Sequence, residues 1–223
     1  MATHNPESAG VATPSDVDSR RIYGGRSAAD RRAERRERLM AAGLDLFGTD
    51  GYAVSSIEKL CAAAAVSTRN FYEEFPSREA LLMAIHDDVL ERATGAVARS
   101  FTDAGDASLA ERIELAVRCY VTTTAEDPRW ARLSYVEIIG VSAAVEQHRI
   151  AWRERWVALL EAEAARAVTR GEAKERDFHL GAVGLIGAVN ELVFHWSIGG
   201  HRIPLDEVIA EIVRFATAVV TAD

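Results

Sequence analysis

The sequence predicts an all-α protein of about nine helices, with a small N-terminal three-helix domain and a larger helical C-terminal domain. Apolar residues recur at helical spacing along most of the 223 residues, and no segment shows the apolar-polar alternation of a strand. Proline occurs only five times and alanine is abundant, which favours helices over a turn-rich sheet protein. Hydrophobic residues make up 48% of the chain, enough for a sizeable core.

The chain begins with a lead segment that has no structural periodicity. Residues 1 to 28 are rich in Gly, Ser, Pro and Thr, and we expect them to be disordered, with basic residues at their end. A first helix is predicted to start near Asp30, because the apolar residues between 39 and 47 follow the i, i+4, i+7, i+8 spacing of one helix face. The Asp50-Gly51 pair ends this helix.

Two short helices joined by a tight turn are predicted next. Ser55 is followed three residues later by Glu58, a capping-box pattern that predicts a helix start at Ser55. Ser67 is predicted to cap the third helix and Pro76 to end it. Two helices of about eight residues joined by about three have the dimensions of a helix-turn-helix, whose second helix fits the DNA major groove. Such spacing also occurs in other compact helical proteins, so spacing alone leaves a purely structural role open.

Charge is distributed unevenly along the chain. The formal net charge of −8 by itself argues against a nucleic-acid partner. The segment from residue 20 to residue 38, however, holds eight arginines against three acids. This asymmetry favours a DNA-facing N-terminal part followed by an acidic remainder. Two roles for the arginines stay open: a flexible arm that follows phosphates or enters the minor groove, and a solvated charged surface.

Residues 35 to 85 carry several motifs in a fixed order. They are LFGTDGY at the end of the first helix, SSIEKL at the start of the second, VSTRNFYEEF through the third and PSREALL into the fourth. In these motifs the segment resembles the N-terminal domain of the tetracycline-repressor (TetR) family of bacterial transcriptional regulators. The resemblance implies a helix-turn-helix DNA-binding domain, which we assign to residues 29 to 76.

The segment departs from the family pattern at two places. Ala65 stands in the turn where the family commonly has Gly, and a left-handed Ala costs about 1 kcal/mol. Glu73 and Glu74 end the third helix, where acids repel phosphates. We therefore expect these two side chains either to point away from the groove or to accept hydrogen bonds from cytosine amino groups. Phe71 and Phe75 are expected to turn into the core.

The resemblance implies a set of DNA contacts. The side chains expected to face the major groove lie on the third helix: Thr68, Arg69, Asn70 and Tyr72. Arginine can donate two hydrogen bonds to guanine, asparagine can pair with adenine, and Tyr and Thr hydroxyls can bind phosphates. Ser55, Ser56 and Ser67 stand at predicted helix starts, where free backbone N–H groups attract a phosphate, and Arg78 is placed to contact the DNA backbone. The alternative is an ordinary solvated polar face.

The remainder of the chain, residues 77 to 223, is predicted to be one helical domain. Its helices are predicted at about 77–101, 107–125, 128–139, 142–169, 177–197 and 204–221, separated by breaks that contain glycine, proline or aspartate. The resemblance implies that this domain binds an effector and forms a homodimer.

The last two predicted helices are the candidates for the dimer interface. Residues 177 to 197 are apolar on all sides and residues 204 to 221 have a broad apolar face. They resemble the family's dimerisation pair, which forms a four-helix bundle across a two-fold axis. A membrane span is the alternative for the first of them, but Asn190, Glu191 and His195 interrupt the run, and we expect no membrane association.

A ligand pocket is predicted among the middle helices. Its candidate residues combine apolar walls with few polar anchors: Tyr120, Thr123, Trp130, Tyr135, Glu137, Trp152, Trp156, Asn190 and Phe194. Glu137 is the leading polar candidate, because a carboxylate in an apolar stretch is costly to bury without a partner. With one acid and few bases in this set, we expect a mostly apolar ligand that is neutral or cationic rather than anionic. The alternative is that the aromatic residues only fill the core.

The sequence contains no motif typical of catalysis, metal binding or a cofactor. The histidines form no HxxxH or ExxH pattern, and no GxSxG, P-loop or Cys-His arrangement occurs. Cys61 and Cys119 are far apart in sequence, which predicts free cysteines in a reducing compartment. The first twenty residues lack the apolar run of a signal peptide, and we expect a cytoplasmic protein.

Together these observations predict a homodimeric regulator that binds double-stranded operator DNA. We expect a repressor that a small, mostly apolar ligand releases from the operator. The alternatives are a regulator that activates or that needs no ligand and, more remotely, an all-helical enzyme.

Overall fold

The computed structural model describes Met1 and residues 27–221. Within this part of the chain all regular secondary structure is helical, and nine α-helices follow one another, so the predicted all-α fold is confirmed. The predicted disordered lead falls for the most part outside the described residues. Its last residue, Ala28, already belongs to the first helix.

The N-terminal part consists of α1 (Ala28–Thr49), α2 (Ile57–Ala64) and α3 (Thr68–Glu74). The first helix starts earlier than predicted because Ser27 and Asp30 form a reciprocal capping box. The Asp30 N–H donates to Ser27 Oγ at 3.0 Å, and the Ser27 N–H donates to the Asp30 carboxylate at 2.9 Å.

The start of α2 corrects the predicted capping box by one residue. Ser56 is the N-cap, and its Oγ accepts the Lys59 N–H at 3.3 Å. Ser55 is fully buried instead, and its hydroxyl donates to the Gly51 carbonyl at 2.7 Å. Ala65 ends α2 at φ 51° and ψ 48°, the left-handed conformation that its place in the turn predicts.

Six helices build the C-terminal part: α4 (Arg78–Asp103), α5 (Leu109–Ala125), α6 (Pro128–Arg132), α7 (Ala143–Thr169), α8 (His179–Ile198) and α9 (Leu205–Thr221). Each has a predicted counterpart whose ends agree within two residues, with one exception. The helix predicted at 128–139 is α6 followed by a π-helical turn, Leu133–Glu137. In this π-turn the Ile138 N–H reaches back five residues to the Leu133 carbonyl, at 3.2 Å.

The buried apolar side chains form three clusters, and the first of them crosses the predicted domain boundary at 76/77. The first joins α1 to α4 and includes Leu133, Ile138 and Val145 from the C-terminal part. The second lies among α5, α8 and α9 and includes Tyr135 of the π-turn. The third joins α4 to the indoles of Trp152 and Trp156 on α7. The π-turn therefore packs into the first two clusters at once.

Helix α1 packs against α6 at backbone distance. A Cβ added at Gly48 would lie 2.5 Å from Arg129 Cβ and 2.8 Å from Arg129 Cα, closer than real Cβ atoms come. Glycine at this position therefore permits the approach that joins the N-terminal part to α6.

We expect Gly48→Ala to lower the free energy of unfolding by about 1–3 kcal/mol, because the added methyl group overlaps a backbone that is fixed on both sides. Gly95→Ala on α4 is the matched control. Its Cβ would meet only the flexible guanidinium of Arg99, at 3.3 Å, so we expect a neutral change or a gain of up to about 1 kcal/mol. Urea unfolding measures both, and equal stabilities would contradict the close packing of α1 on α6.

Candidate nucleic-acid interface and effector cavity

One face of α3 is polar and exposed, and the opposite face is buried. Thr68, Arg69 and Tyr72 are exposed and Asn70 is half-buried, with the Arg69 side chain 88% accessible. On the other side, the predicted core residues Phe71 and Phe75 are buried. The four predicted groove-facing side chains thus share the solvent side of one helix. Their contact with DNA stays a prediction.

Two predicted phosphate contacts, Ser56 and Ser67, are the N-caps of α2 and α3. The side chain of Ser56 accepts the Lys59 N–H, and that of Ser67 accepts the Asn70 N–H at 3.2 Å. Ser67 directly precedes Thr68, so this cap stands at the exposed start of α3.

Ser55 is not placed to contact DNA, which corrects the prediction for this residue, whereas the contact of the half-buried Arg78 with the DNA backbone stays a prediction. The hydroxyl of Ser55 is buried, and its carbonyl accepts a hydrogen bond from Arg78 Nη1 at 2.8 Å. The Arg78 guanidinium also lies over the Tyr52 ring, 4.1 Å from its centroid. Both residues therefore hold the loop between α1 and α2, and of the two only Ser55 is excluded from the predicted DNA contacts.

Arginines of α1 bind the end of α3 through Glu74. Arg32 Nε and Arg35 Nη2 donate to its two carboxylate oxygens at 3.0 and 2.9 Å, and the Glu74 side chain is 1% exposed. Burial alone would raise the pKa of Glu74, but the two guanidinium groups outweigh it and lower that pKa. Glu74 therefore points away from the groove, one of the two predicted arrangements. Glu73 stays at the surface and pairs with Arg69 at 3.4 Å.

The predicted flexible arm is wrong for the arginines at residues 31 to 38. These residues belong to α1, and besides the two that bind Glu74, the Arg36 guanidinium lies 4.4 Å from the centroid of the Phe75 ring. Arg20, Arg21 and Arg26 lie outside the described residues.

A row of three adjoining cavities runs between α4, α5, α7, α8 and α9. The central cavity, of about 80 Å³, has walls that include Val97, Phe101, Tyr120, Trp156, Leu160 and Ile186. A polar cavity of about 40 Å³ shares Tyr120, Trp156 and Ile186 with it. A distal apolar cavity of about 80 Å³ shares Phe101, Leu160 and Leu185 with it. The row therefore has one polar end and a long apolar remainder.

Five of the nine predicted pocket residues line this row: Tyr120, Tyr135, Trp152, Trp156 and Asn190. Thr123, Trp130 and Phe194 do not, which corrects the prediction. Phe194 packs into the cluster of α5, α8 and α9, and the Trp130 ring is covered by the Arg92 guanidinium at 4.3 Å. The neighbour of Thr123, Thr124, is the buried one and lies 2.7 Å from the Tyr135 hydroxyl. The position of each residue around its helix determines whether its side chain lines the cavities.

Glu137 lies at the junction with the N-terminal part rather than in the cavities, which corrects the leading polar candidate. Its carboxylate accepts the Tyr52 N–H at 2.7 Å and the Arg132 Nε–H at 2.9 Å. Arg132 also donates to the Thr49 carbonyl. We call this set of Tyr52, Thr49, Arg132 and Glu137 the interdomain clasp. The partner that a buried carboxylate needs is thus Arg132 and not a ligand.

The polar cavity is lined by bases and no acid. Its polar residues are His86, Ser134, Tyr135, Arg149, Arg153 and Asn190. Burial, together with the nearby charges of His148 and Arg149, lowers the pKa of His86 to about 3, so this imidazole is neutral near pH 7. Sequence spacing gave no sign of the two arginines, because they come from α7 and meet π-turn residues only in the folded chain.

Other chemistry is limited within residues 27–221. No group of three or more His, Cys, Asp and Glu side chains there could hold a metal ion. Cys61 and Cys119 are free. By length and composition alone, α8 is the one described helix that could cross a membrane, and its Leu185, Val193 and Trp196 are buried in the protein core.

Two family models match the chain. "Bacterial regulatory proteins, tetR family" matches residues 39–85, and "Tetracyclin repressor-like, C-terminal domain" matches residues 106–220, more than half of the sequence. The chain belongs to the TetR family. As a TetR-family transcriptional regulator it has the helix-turn-helix in its N-terminal part and the family's C-terminal domain over residues 106–220.

Solved structures share the fold of this TetR-family regulator. A regulator from Syntrophomonas wolfei has a TM-score of 0.73 at 21% identity, covering 84% of this chain and 95% of its own. One from Rhodococcus sp. has a TM-score of 0.69 at 20% identity, with coverage of 85% and 100%. FadR from Bacillus subtilis, solved with stearoyl-CoA, has a TM-score of 0.69 at 18% identity, with coverage of 84% and 98%. No curated protein sequence matches significantly.

Proposed function

We propose that this TetR-family regulator is a cytoplasmic homodimeric repressor that leaves its operator when an elongated, mostly apolar ligand fills the row of cavities. One observation carries the proposal. The π-turn Leu133–Glu137 has Ser134 and Tyr135 in the wall of the polar cavity and Glu137 in the interdomain clasp. Five consecutive residues thus connect the candidate ligand site to the DNA-binding domain.

The proposed reading face consists of Thr68, Arg69, Asn70 and Tyr72 on α3, with the caps Ser56 and Ser67 beside it. Arg69 is held only by an exposed ion pair with Glu73 four residues on. Such surface pairs contribute little to stability, so the guanidinium is available to guanine.

A second copy of the chain is proposed to cover the outer faces of α8 and α9. Leu180 is 80% exposed and Phe215 is 46% exposed. On the same face of α8, a Cβ added at Gly184 or Gly187 would meet nothing. Exposed mid-helix glycines cost about 1 kcal/mol each, and a partner helix that approaches the backbone closely offsets that cost. Val193, by contrast, is buried within the protomer and does not belong to this face.

An acyl chain is the ligand that the row of cavities supports best. The walls of the central and distal cavities are almost entirely aliphatic and aromatic, and the three cavities lie next to one another in a row. The stearoyl-CoA complex of the FadR protein supports the same class, since that protein shares the fold.

Release is proposed to follow from the position of the π-turn. Leu133 and Ile138 pack in the core of the DNA-binding domain, and Glu137 holds the Tyr52 N–H at the start of the loop before α2. A ligand that displaces Ser134 moves these anchors together and reorients α1 to α3. In a dimer the two α3 helices must match half-sites about 34–36 Å apart, or a multiple of that spacing, so a reoriented pair binds the operator less well.

Arg69→Ala should weaken specific DNA binding by about 1–3 kcal/mol and relax the base preference at one position of each half-site. The control is Arg166→Ala, which removes an exposed arginine with an intrahelical ion pair from α7. Operator DNA selected from a random pool and titrated by fluorescence anisotropy measures both variants. Equal affinities and unchanged base preference in both would contradict the reading face.

Gly184→Glu should convert the dimer to a monomer at micromolar concentration, because two like charges would be buried where the helices meet. Ala98→Glu on the exposed side of α4 serves as the control and should stay dimeric. Sedimentation velocity distinguishes the species. A Gly184→Glu protein that sediments like the control would exclude this face as the dimer interface.

Glu137→Ala should separate ligand binding from operator release. We expect decanoate to quench the tryptophan fluorescence of the variant as in the parent protein, while the decanoate-induced loss of operator binding falls at least about fivefold, because the clasp to Tyr52 and Arg132 is gone. Glu172→Ala, which removes a carboxylate paired with Arg170 at the end of α7, is the control. Release that stays normal in Glu137→Ala would show that the clasp transmits nothing.

A further inference from the structure

We propose that the polar cavity is a head-group site that binds the carbonyl oxygen of an acyl ligand next to negative charge, either the carboxylate of a free acid or the thioester carbonyl of an anionic conjugate. This inference rests on the proposed function, because it assigns one end of the ligand whose chain fills the central and distal cavities. It also reverses the expectation from the sequence that the ligand is neutral or cationic.

Two buried hydrogen-bonding groups in this cavity have no partner. Ser134 is 8% exposed and Trp156 is 9% exposed, and neither Ser134 Oγ nor Trp156 Nε1 makes a hydrogen bond. Both residues line the polar cavity. Buried polar groups are satisfied in nearly all proteins, and leaving one unpaired costs about 1–3 kcal/mol. An indole N–H can only donate and a hydroxyl can donate, so the group that satisfies both is an acceptor oxygen.

The charge around the cavity selects an anion. Arg153 lines it and has neither a hydrogen bond nor an ion pair within residues 27–221. Arg149 lines it as well, although its guanidinium is bound to Glu146 at 2.6 Å. No carboxylate belongs to the lining, and the neutral His86 and the Asn190 amide add hydrogen-bonding capacity without charge. A ligand anion would therefore meet the exposed, unpaired guanidinium of Arg153 and no carboxylate in the lining, since the nearby Asp87 accepts the Trp152 N–H at 2.7 Å.

The polar cavity adjoins an open groove whose lining also includes Glu154 and Glu161. Arg153 and Ile186 are shared with this groove of about 440 Å³ between α7 and α8. A free carboxylate would end at Arg153, whereas a conjugated group would continue past it into this groove. The shared requirement is the acyl oxygen at Ser134 and Trp156.

The test uses the full-length protein and four ten-carbon probes. Decanoate has the acceptor and the charge, methyl decanoate has the acceptor alone, decane has neither, and decanoyl-CoA carries the thioester and phosphates. Quenching of Trp152 and Trp156 fluorescence measures binding, and operator release is recorded in parallel. The variants are Ser134→Ala and Arg153→Gln. Arg155→Gln is the control, since Arg155 lies over the outer face of Trp152, at 4.7 Å, and does not line the polar cavity.

We expect Ser134→Ala to lower the affinity for decanoate and for methyl decanoate about two- to tenfold each, because it removes one hydrogen-bond donor to the acyl oxygen. Arg153→Gln should lower the affinity for decanoate about three- to tenfold and leave the affinity for methyl decanoate unchanged. Neither variant should change decane binding, and Arg155→Gln should change no affinity by more than about twofold. If decanoyl-CoA binds more tightly than decanoate and its affinity depends on the same two residues, the natural ligand is the conjugate. If decanoate binds more tightly than decanoyl-CoA, the natural ligand is the free acid.

The head-group site is overturned if the affinities of all probes are unchanged in Ser134→Ala and Arg153→Gln. The proposed ligand response survives that outcome if the probes still release the operator. If no probe binds at all, both the head-group site and the acyl response fail, while dimerisation and DNA binding are judged by their own experiments.

Discussion

The carboxylate of Glu137 holds the two parts of this regulator in a defined relation. It accepts one hydrogen bond from the backbone of the DNA-binding domain, at Tyr52, and one from Arg132, which is itself bound to the end of α1. Nearby, glycine at position 48 lets α1 meet α6 at backbone distance. Because charge-assisted hydrogen bonds are directional and packed glycine contacts tolerate little displacement, these contacts fix the π-turn against the end of α1 and the loop before α2.

The π-turn places side chains three residues apart in different environments. In an α-helix, residues 134 and 137 would lie on one face, but the wider turn sets Ser134 against the polar cavity and Glu137 against the DNA-binding domain. Short π-helical segments are uncommon in proteins and are frequent at functional sites. Here the irregular turn lies between a cavity with unpaired donors and the Tyr52 backbone of the DNA-binding domain.

Charged residues in the DNA-binding domain serve packing as much as recognition. Arg32 and Arg35 are used to hold the buried carboxylate of Glu74, so the acid that ends α3 is neutralised and turned from the exposed face. Arg78 is used in the same way to hold the loop before α2. The exposed face of α3 therefore keeps Arg69 as its base, with Thr68, Asn70 and Tyr72 as uncharged hydrogen-bonding groups beside it.

The sequence by itself determined what depends on short-range patterns: the helices, the helix-turn-helix, the left-handed Ala65, and the buried and exposed sides of α3. Caps, apolar periodicity and turn chemistry act within a few residues, so they can be read without the fold. Only the tertiary structure decided which of two adjacent serines caps α2, that Glu137 binds Arg132 and Tyr52, and that Arg149 and Arg153 line the same cavity as Ser134 and Trp156. These outcomes depend on helical phase and on partners far apart in sequence, where a rotation of one residue moves a side chain by about 100° around its helix.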